Sequence, residues 1–335
     1  MNLQQIETLA VTITFISALV AMILFLVEVA IKKPLAKHLG MAGMGVALVG
    51  SLVTLVARGI IANHVPWSNL WESMIFMLFG TLVFYFVTEF WYKPKHFGIM
   101  AAPLVLILIG GASLLPPHLK GAAPLMPALQ SYWIKIHTSA ILLSYAAFTI
   151  SFGTAVAYFV YHWLGNRKPG GPGTGIPAVQ ISPSGAATMS PPPGAAMVGT
   201  APAPAPAADA AWVPSGLGGT APAPEPHPYQ KQLEFFDELT YRLILIGFPL
   251  LMFGIITGAM WANSAWGTYW SWDPKETWSL ITWFIYAAYL HARITKDWTG
   301  HKAATLAAVG FVSMIITYIG VNYLSSGLHS YGFLR

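Results

Sequence analysis

The sequence predicts an all-α, polytopic transmembrane helix bundle of about eight spans, and three observations predict it. Hydrophobic residues make up 56% of the 335 and charged residues only 9%, against roughly a quarter charged in soluble domains. Apolar stretches long enough to cross about 30 Å of hydrocarbon, roughly 20 residues each, recur along the chain. One long polar interruption divides them into a group of five and a group of three.

The stretches run near 8–31, 39–62, 71–92, 97–115, 133–163, 238–262, 274–294 and 303–324. The first follows Gln4, Gln5 and Glu7 rather than a basic segment, and no small-residue cleavage site comes after it. It reads as a retained helix and not as a signal peptide. Residues 1–164 then form a five-helix membrane region and residues 236–335 a three-helix region. Residues 165–235 between them, with their APAPAPA and APAPEPHP runs, contain too few large apolar side chains to fold. They read as a disordered cytoplasmic linker of partly polyproline II character, with His227 solvated among prolines.

The net charge of +5 raises nucleic acid as a partner, but no basic run is longer than a pair, so lysine and arginine set topology instead. Twelve of the 17, including Lys32, Lys33, Lys93, Arg167, Arg293 and Lys302, lie on or beside the odd-to-even connections. Arg58, Lys120, Lys135, Lys275 and Arg335 lie towards the other side. By the positive-inside rule both termini face outward from a bacterial-type inner membrane, as does the loop before the seventh span. With no cysteine, the chain has no thiolate ligand or thiol chemistry of its own. Its ten histidines, with methionine, are left as the main ligands for a transition metal or haem iron.

That outward loop, WANSAWGTYWSWDPKETW at residues 261–278, holds five tryptophans. An interfacial aromatic belt explains one or two at each helix end. The surplus suits a stacking surface for a large planar ligand. Within it, Asp273, Pro274 and Glu276 form a capping box that fixes where the seventh helix begins, and such a helix end suits an anionic group such as a propionate. Pro66-Trp67-Ser68-Asn69-Leu70-Trp71-Glu72-Ser73 repeats the mixture before the third helix, where Ser68 or Asn69 caps and Glu72 answers.

His137, near the outer end of the fifth helix, and His329, past the outer end of the eighth, stand level with the tryptophan loop. Singly each reads as an interfacial histidine; together they fit bis-imidazole haem ligation. His291 lies within the seventh helix, 17 residues after Pro274 and so about 25 Å along it at ~1.5 Å per residue. An ionisable group inside a span defaults to a functional role, and Ala287 and Ala288 one turn back leave room for a macrocycle. The competing reading is that these alanines serve helix packing and that His291 snorkels to the interface beside Arg293. The remaining histidines fall near helix ends or in loops and read as solvated.

The block WGTYWSWDPKETWSLITWFIYAAYLHAR, residues 266–293, resembles the WWD signature of haem-handling proteins of cytochrome c biogenesis, and in particular the CcsA/ResC family of the System II haem lyase. PWSNLWESM is similar to that family's early outer motif, and the order of His137, tryptophan block, His291 and His329 agrees. The likeness covers nearly the whole chain except the long linker, which the compact family pattern lacks. The resemblance implies the core of a holocytochrome c synthase. It would carry haem b, as substrate, from the cytoplasmic side to an outward site and attach it to the C-x-x-C-H motif of apocytochrome c. It assigns His291 to a haem site within the membrane, His137 and His329 to axial ligation outside, and Trp266, Trp270, Trp272 and Trp278 to contact with the ring. Trp266, Trp270, Trp272 and Asp273 count with the two outer histidines as the residues presenting haem for ligation. It also implies a CcsB/ResB-like membrane partner, whose histidine completes the site at His291, and thiol-reducing proteins that keep the substrate's cysteines reduced.

Three rivals remain at this stage. A membrane b-type cytochrome would hold haem permanently and would favour histidines paired within the span. A WWD protein of the other bacterial maturation route would load haem onto a chaperone. A haem or solute transporter would lack ligation activity.

Overall fold

A computed structural model describes residues 1–122, 124–167 and 227–321. His329 and residues 168–226 of the linker lie outside them. Among the described residues there are eight α-helices and no strand: α1 Leu3–Ile31, α2 Pro34–Ala62, α3 Leu70–Tyr92, α4 Phe97–Leu114, α5 Tyr132–Asn166, α6 Gln230–Trp266, α7 Pro274–Thr295 and α8 His301–Ile315. Short 3₁₀ turns cover Pro117–Leu119 and Pro127–Gln130, and a π-helical turn, Ile316–Gly320, continues α8. Seven of the helices, α8 counted with its π-helical turn as His301–Gly320, are long and apolar enough to cross a membrane. The exception is α7, whose 22 residues reach about 33 Å at ~1.5 Å per residue but include Lys275, Glu276, His291 and Arg293. The chain is an all-α, polytopic membrane protein.

Local sequence sets the helix ends. At α1 the Gln5 N–H donates to Asn2 Oδ1 at 2.8 Å while the Asn2 N–H donates to Gln5 Oε1 at 3.0 Å, a reciprocal cap. Pro34 opens α2, and α1 and α3 close on left-handed Lys32 and Lys93. α6 starts at Gln230, eight residues before the apolar stretch read at 238–262. Its first turns are amphipathic: Leu233, Phe236 and Leu239 are buried while Lys231 and Glu234 are exposed. A hydropathy window cannot register such a half-buried start.

The chain divides into one unit of residues 1–163 with 229–335, and a second of 164–228. Of the second, the described part is the last turn of α5 and residues 227–228. In the first unit α1 and α2 pack closely: a Cβ on Gly50 would come within 2.3 Å of Thr14 Oγ1. Such close backbone approach is how membrane helices gain van der Waals contact without a hydrophobic driving force. α5 meets the last three helices through stacked rings, Tyr161 on Phe236 of α6 at 5.6 Å, Phe148 on Tyr286 of α7 at 3.8 Å and Phe152 on Phe311 of α8 at 4.2 Å.

Two ion pairs and a carboxylate–imidazole contact mark the end of this unit that carries the C-terminus of α1. Glu28 meets His96 at 2.9 Å, Lys37 meets Glu89 at 2.6 Å, and Arg293 Nη1 meets Asp237 Oδ2 at 2.5 Å. Asp237 also accepts the Gly300 N–H at 2.8 Å, so one carboxylate ties α6, α7 and the start of α8 together.

Candidate functional site: an aromatic cavity between the tryptophan loop and α5

The tryptophan loop is held by its own polar groups. α6 ends on Gly267, whose φ of 78° suits a residue without Cβ and whose N–H donates to the Asn263 carbonyl at 2.9 Å. At the far side Asp273 caps α7, Oδ1 accepting from the Lys275 N–H at 2.9 Å. Glu276 Oε2 answers by accepting from the Asp273 N–H at 3.2 Å, and also from the Ser271 N–H at 2.8 Å and Ser271 Oγ at 3.2 Å. Between them Trp272 sits at φ 58°, costly for a bulky side chain and typical of strain kept at functional positions.

A cavity of about 220 Å³ opens beneath this loop. Trp67, Tyr269 and Trp270 contribute aromatic surface, and Tyr145 and Tyr318 line it from α5 and the π-helical turn. His137 reaches it from α5. Its ring stacks on Trp261 with centroids 6.0 Å apart at 16°, and Nδ1 lies 2.7 Å from the Gly254 carbonyl of α6. A carbonyl only accepts, so in the neutral ring Nδ1 carries the proton and Nε2 the lone pair. Fixing one ring nitrogen in this way is how proteins orient an imidazole ligand and set its tautomer. The approach depends on Gly258, where a Cβ would come within 2.6 Å of Nδ1.

The other residues singled out from sequence are placed differently from one another. Trp270 lines the cavity with His137. Trp266 packs against the buried Trp261 at 4.8 Å, and the Trp261 Nε1–H donates to the Ala128 carbonyl at 2.9 Å. Trp272 is 69% exposed and meets Trp270 edge to face at 5.9 Å. The Trp278 carbonyl accepts from Thr282 Oγ1 and Thr317 Oγ1 at 2.8 and 3.2 Å, which anchors the π-helical turn to α7. Neither Trp272 nor Trp278 lines the cavity, and Asp273, buried, acts as the cap described above. His291 lies far along α7 and is exposed, on a stripe with Ile281, Phe284, Ala288 and Thr295. Arg293 turns inward to Asp237 instead, so the two residues occupy different faces.

Three further residues contribute to the site, though the sequence assigns Tyr318 no role and Arg58 and Lys275 only a place in the charge count. Tyr318, on the π-helical turn, donates to or accepts from Ser73 Oγ at 2.8 Å. Lys275 lines the cavity from the first turn of α7. Arg58, counted from sequence as an outer topogenic charge, is buried. Its Nε lies 2.8 Å from Glu7 Oε1, its Nη2 donates to the Lys120 carbonyl at 2.9 Å, and its guanidinium lies 4.3 Å over the Trp71 ring. Glu72, 3.9 Å away, accepts from the Ser68 N–H and Oγ at 2.9 and 2.8 Å. Asn69 caps α3 by accepting from the Glu72 N–H at 2.9 Å. This network fixes the Trp67–Asn69 wall of the cavity. The cap is legible in the sequence, whereas the pairing of Arg58 with Glu7 has no sequence signal beyond an Arg in an apolar helix and a distant Glu.

Residues 67–329 match the family model described as Cytochrome C assembly protein, a span holding both the cavity wall at Trp67 and the tryptophan loop. The cytochrome c biogenesis protein CcsA of Gloeobacter violaceus is 40% identical over 341 residues, covering 100% of this chain and 99% of that one. CcsA of Synechococcus sp. (strain JA-2-3B'a(2-13)) is 41% identical over 356 residues, covering 99% and 96%. Among solved structures, Cytochrome c Heme Lyase CcmF superposes with a TM-score of 0.61 at 14% identity. The match covers 95% of this chain but 47% of that one, so the fold is shared with about half of the larger protein. The chain belongs to the cytochrome c assembly family, among the CcsA proteins of cytochrome c biogenesis.

Proposed function

We propose that this chain carries haem to the cavity under the tryptophan loop and presents it there to apocytochrome c for covalent attachment. The observation that carries this reading is the geometry of His137. A histidine oriented through Nδ1 lines a cavity that Trp67, Tyr269 and Trp270 also line, and Nε2 is the nitrogen proposed for iron. His329 is the proposed second axial ligand; it lies outside the described residues. The loop and both termini face outward in this scheme, and His291 with a histidine of a CcsB/ResB-like partner holds haem earlier, within the membrane.

The protein acts by positioning. His137 and His329 fix the iron, and the aromatic walls fix the ring plane. The two thiols of the C-x-x-C-H segment meet the vinyl groups at high effective molarity. In each addition a sulfur–carbon bond forms and the thiol hydrogen passes to the other vinyl carbon, so no electrons are gained or lost. Reduced thiols come from the substrate, kept so by thiol-reducing proteins, because the chain has no cysteine. The outer iron–histidine bond on one side gives way to the substrate's own histidine. The test is covalent transfer of bound haem from the purified protein to a C-x-x-C-H peptide. Retention of haem without transfer would instead indicate a b-type cytochrome, and release without attachment a transporter or chaperone-loading protein.

A further inference from the structure

Lys275 differs from the other cations that the fold encloses. Lys37, Arg58 and Arg293 each have a carboxylate within 4.0 Å, and Lys120 gives its ammonium to the Ser113 carbonyl at 2.6 Å. Lys275 lines the cavity. Among the described residues no carboxylate lies within 4.0 Å of its Nζ and no hydrogen bond engages it. Of its acidic neighbours in sequence, Glu276 Oε2 is engaged by three donors of the loop, and Asp273, which caps α7 through Oδ1, acts on the ammonium only from beyond 4.0 Å. An ammonium in bulk water needs no partner. Lys275 is half-buried and borders the same cavity as Trp67, Tyr269 and Trp270, and charges drawn out of water are paired as a rule. The first turn of α7 adds its own partial positive charge at the same place.

We infer that Lys275 is the anion-recognition group of this cavity and that it receives a propionate carboxylate of the bound macrocycle. The inference rests on the reading of the cavity as a haem site. Haem carries its propionates along one edge and its vinyl groups towards the opposite edge. An ion pair at Lys275 therefore turns the vinyl edge away from the start of α7, and it settles which way round the ring is offered to the two thiols. The aromatic walls alone fix the plane of the ring and leave its in-plane rotation open.

The test compares haemin with its dimethyl ester, in which both carboxylates are neutral. The full chain is placed in phosphatidylcholine nanodiscs, in a His291→Ala background so that the outer cavity alone titrates, and binding is followed by the Soret band. Haemin is expected to bind about 10-fold more tightly than the ester, in line with a charge-assisted pair. Lys275→Met should lower haemin affinity to that of the ester and leave ester affinity unchanged, whereas Lys275→Arg should keep most of the preference. Equal losses for both ligands would make Lys275 structural and overturn the inference, as would equal affinities in the chain with Lys275 intact, an arm that needs no folded variant. If added phosphatidylglycerol removes the preference for haemin, Lys275 holds a lipid phosphate and the inference also fails. Absence of any His137-dependent Soret band with either ligand is a different result, and it sinks the haem reading of the cavity itself.

Discussion

His137 and Gly254 join α5 to α6 through a single 2.7 Å hydrogen bond from ring Nδ1–H to backbone carbonyl. The bond exists because position 258, one turn along α6, has no side chain. Gly258→Ala should therefore push the ring off its acceptor without removing the histidine. We expect cytochrome c formation to fall at least 10-fold while helix content, read by circular dichroism, stays the same. His137→Ala should abolish formation, with partial recovery on added imidazole. Recovery by imidazole is not expected for Gly258→Ala, where the displaced ring still occupies the space. Full activity in His137→Ala would remove it as a ligand.

The loop's stability should depend more on Glu276 than on Asp273. Losing the Asp273 side chain removes the capping acceptor of the Lys275 and Glu276 N–H groups, about 1 kcal/mol. Losing the Glu276 carboxylate leaves three loop donors without their acceptor, at a net ~1 kcal/mol per hydrogen bond. Thermal unfolding in detergent should rank Glu276→Ala below Asp273→Ala and both below the unaltered protein. Equal midpoints for all three would contradict the hydrogen-bond assignment.

Arg58 should behave as a buried counter-charge and not as a topogenic one. Arg58→Met leaves Glu7 and Glu72 enclosed without a cation, and breaking a buried pair from one side costs about 3–5 kcal/mol. Removing Glu7 as well, in Glu7→Gln/Arg58→Met, should recover part of that loss. The comparison is a double-mutant cycle read by thermal denaturation. A single variant as stable as the original, with altered topology by accessibility labelling, would restore the topogenic account.

His291 stands on an exposed stripe of α7, where an imidazole facing lipid is unfavourable and one facing a second subunit is not. Protein expressed alone should hold little haem at this depth. Co-expression with a CcsB/ResB-like subunit should raise occupancy, and His291→Ala should lower it again. The rings of His162 and His301 lie 5.8 Å apart at the same end of the unit. Stoichiometric bis-histidine haem in the isolated chain, eliminated by His162→Ala or His301→Ala, would place the missing ligand in this chain and rule out the partner.

Features encoded over a few residues were readable in the sequence. The Asp273 and Glu276 cap, the Asn69 and Glu72 cap and the apolar spans each depend on neighbours a turn or two away. What depended on facing was not readable. The depth of His291 follows from counting residues from Pro274, but its exposure follows from which side of α7 the other helices take. The tryptophans show the same limit: the loop composition is conspicuous, yet α6 runs on to Trp266, so Trp261 is a buried helix residue while Trp272 projects outward. The burial of Arg58 is likewise not legible, because charge counting assumes a solvated side chain and its partner Glu7 comes from another helix.

The length of α7 sets a limit on how the protein can be loaded. Its capped start borders the aromatic cavity, and His291 follows 17 residues later, about 25 Å away on a rigid rod at ~1.5 Å per residue. One iron atom cannot be bound at both positions, so on the proposed function traffic along α7 would proceed in discrete transfers and not by a continuous hold. On the proposed function, the same separation would let a second passenger enter at His291 while the first still waits under the tryptophan loop. Turnover would then be governed by how quickly the outer berth is vacated, and a protein starved of apocytochrome would fill to two equivalents and stop.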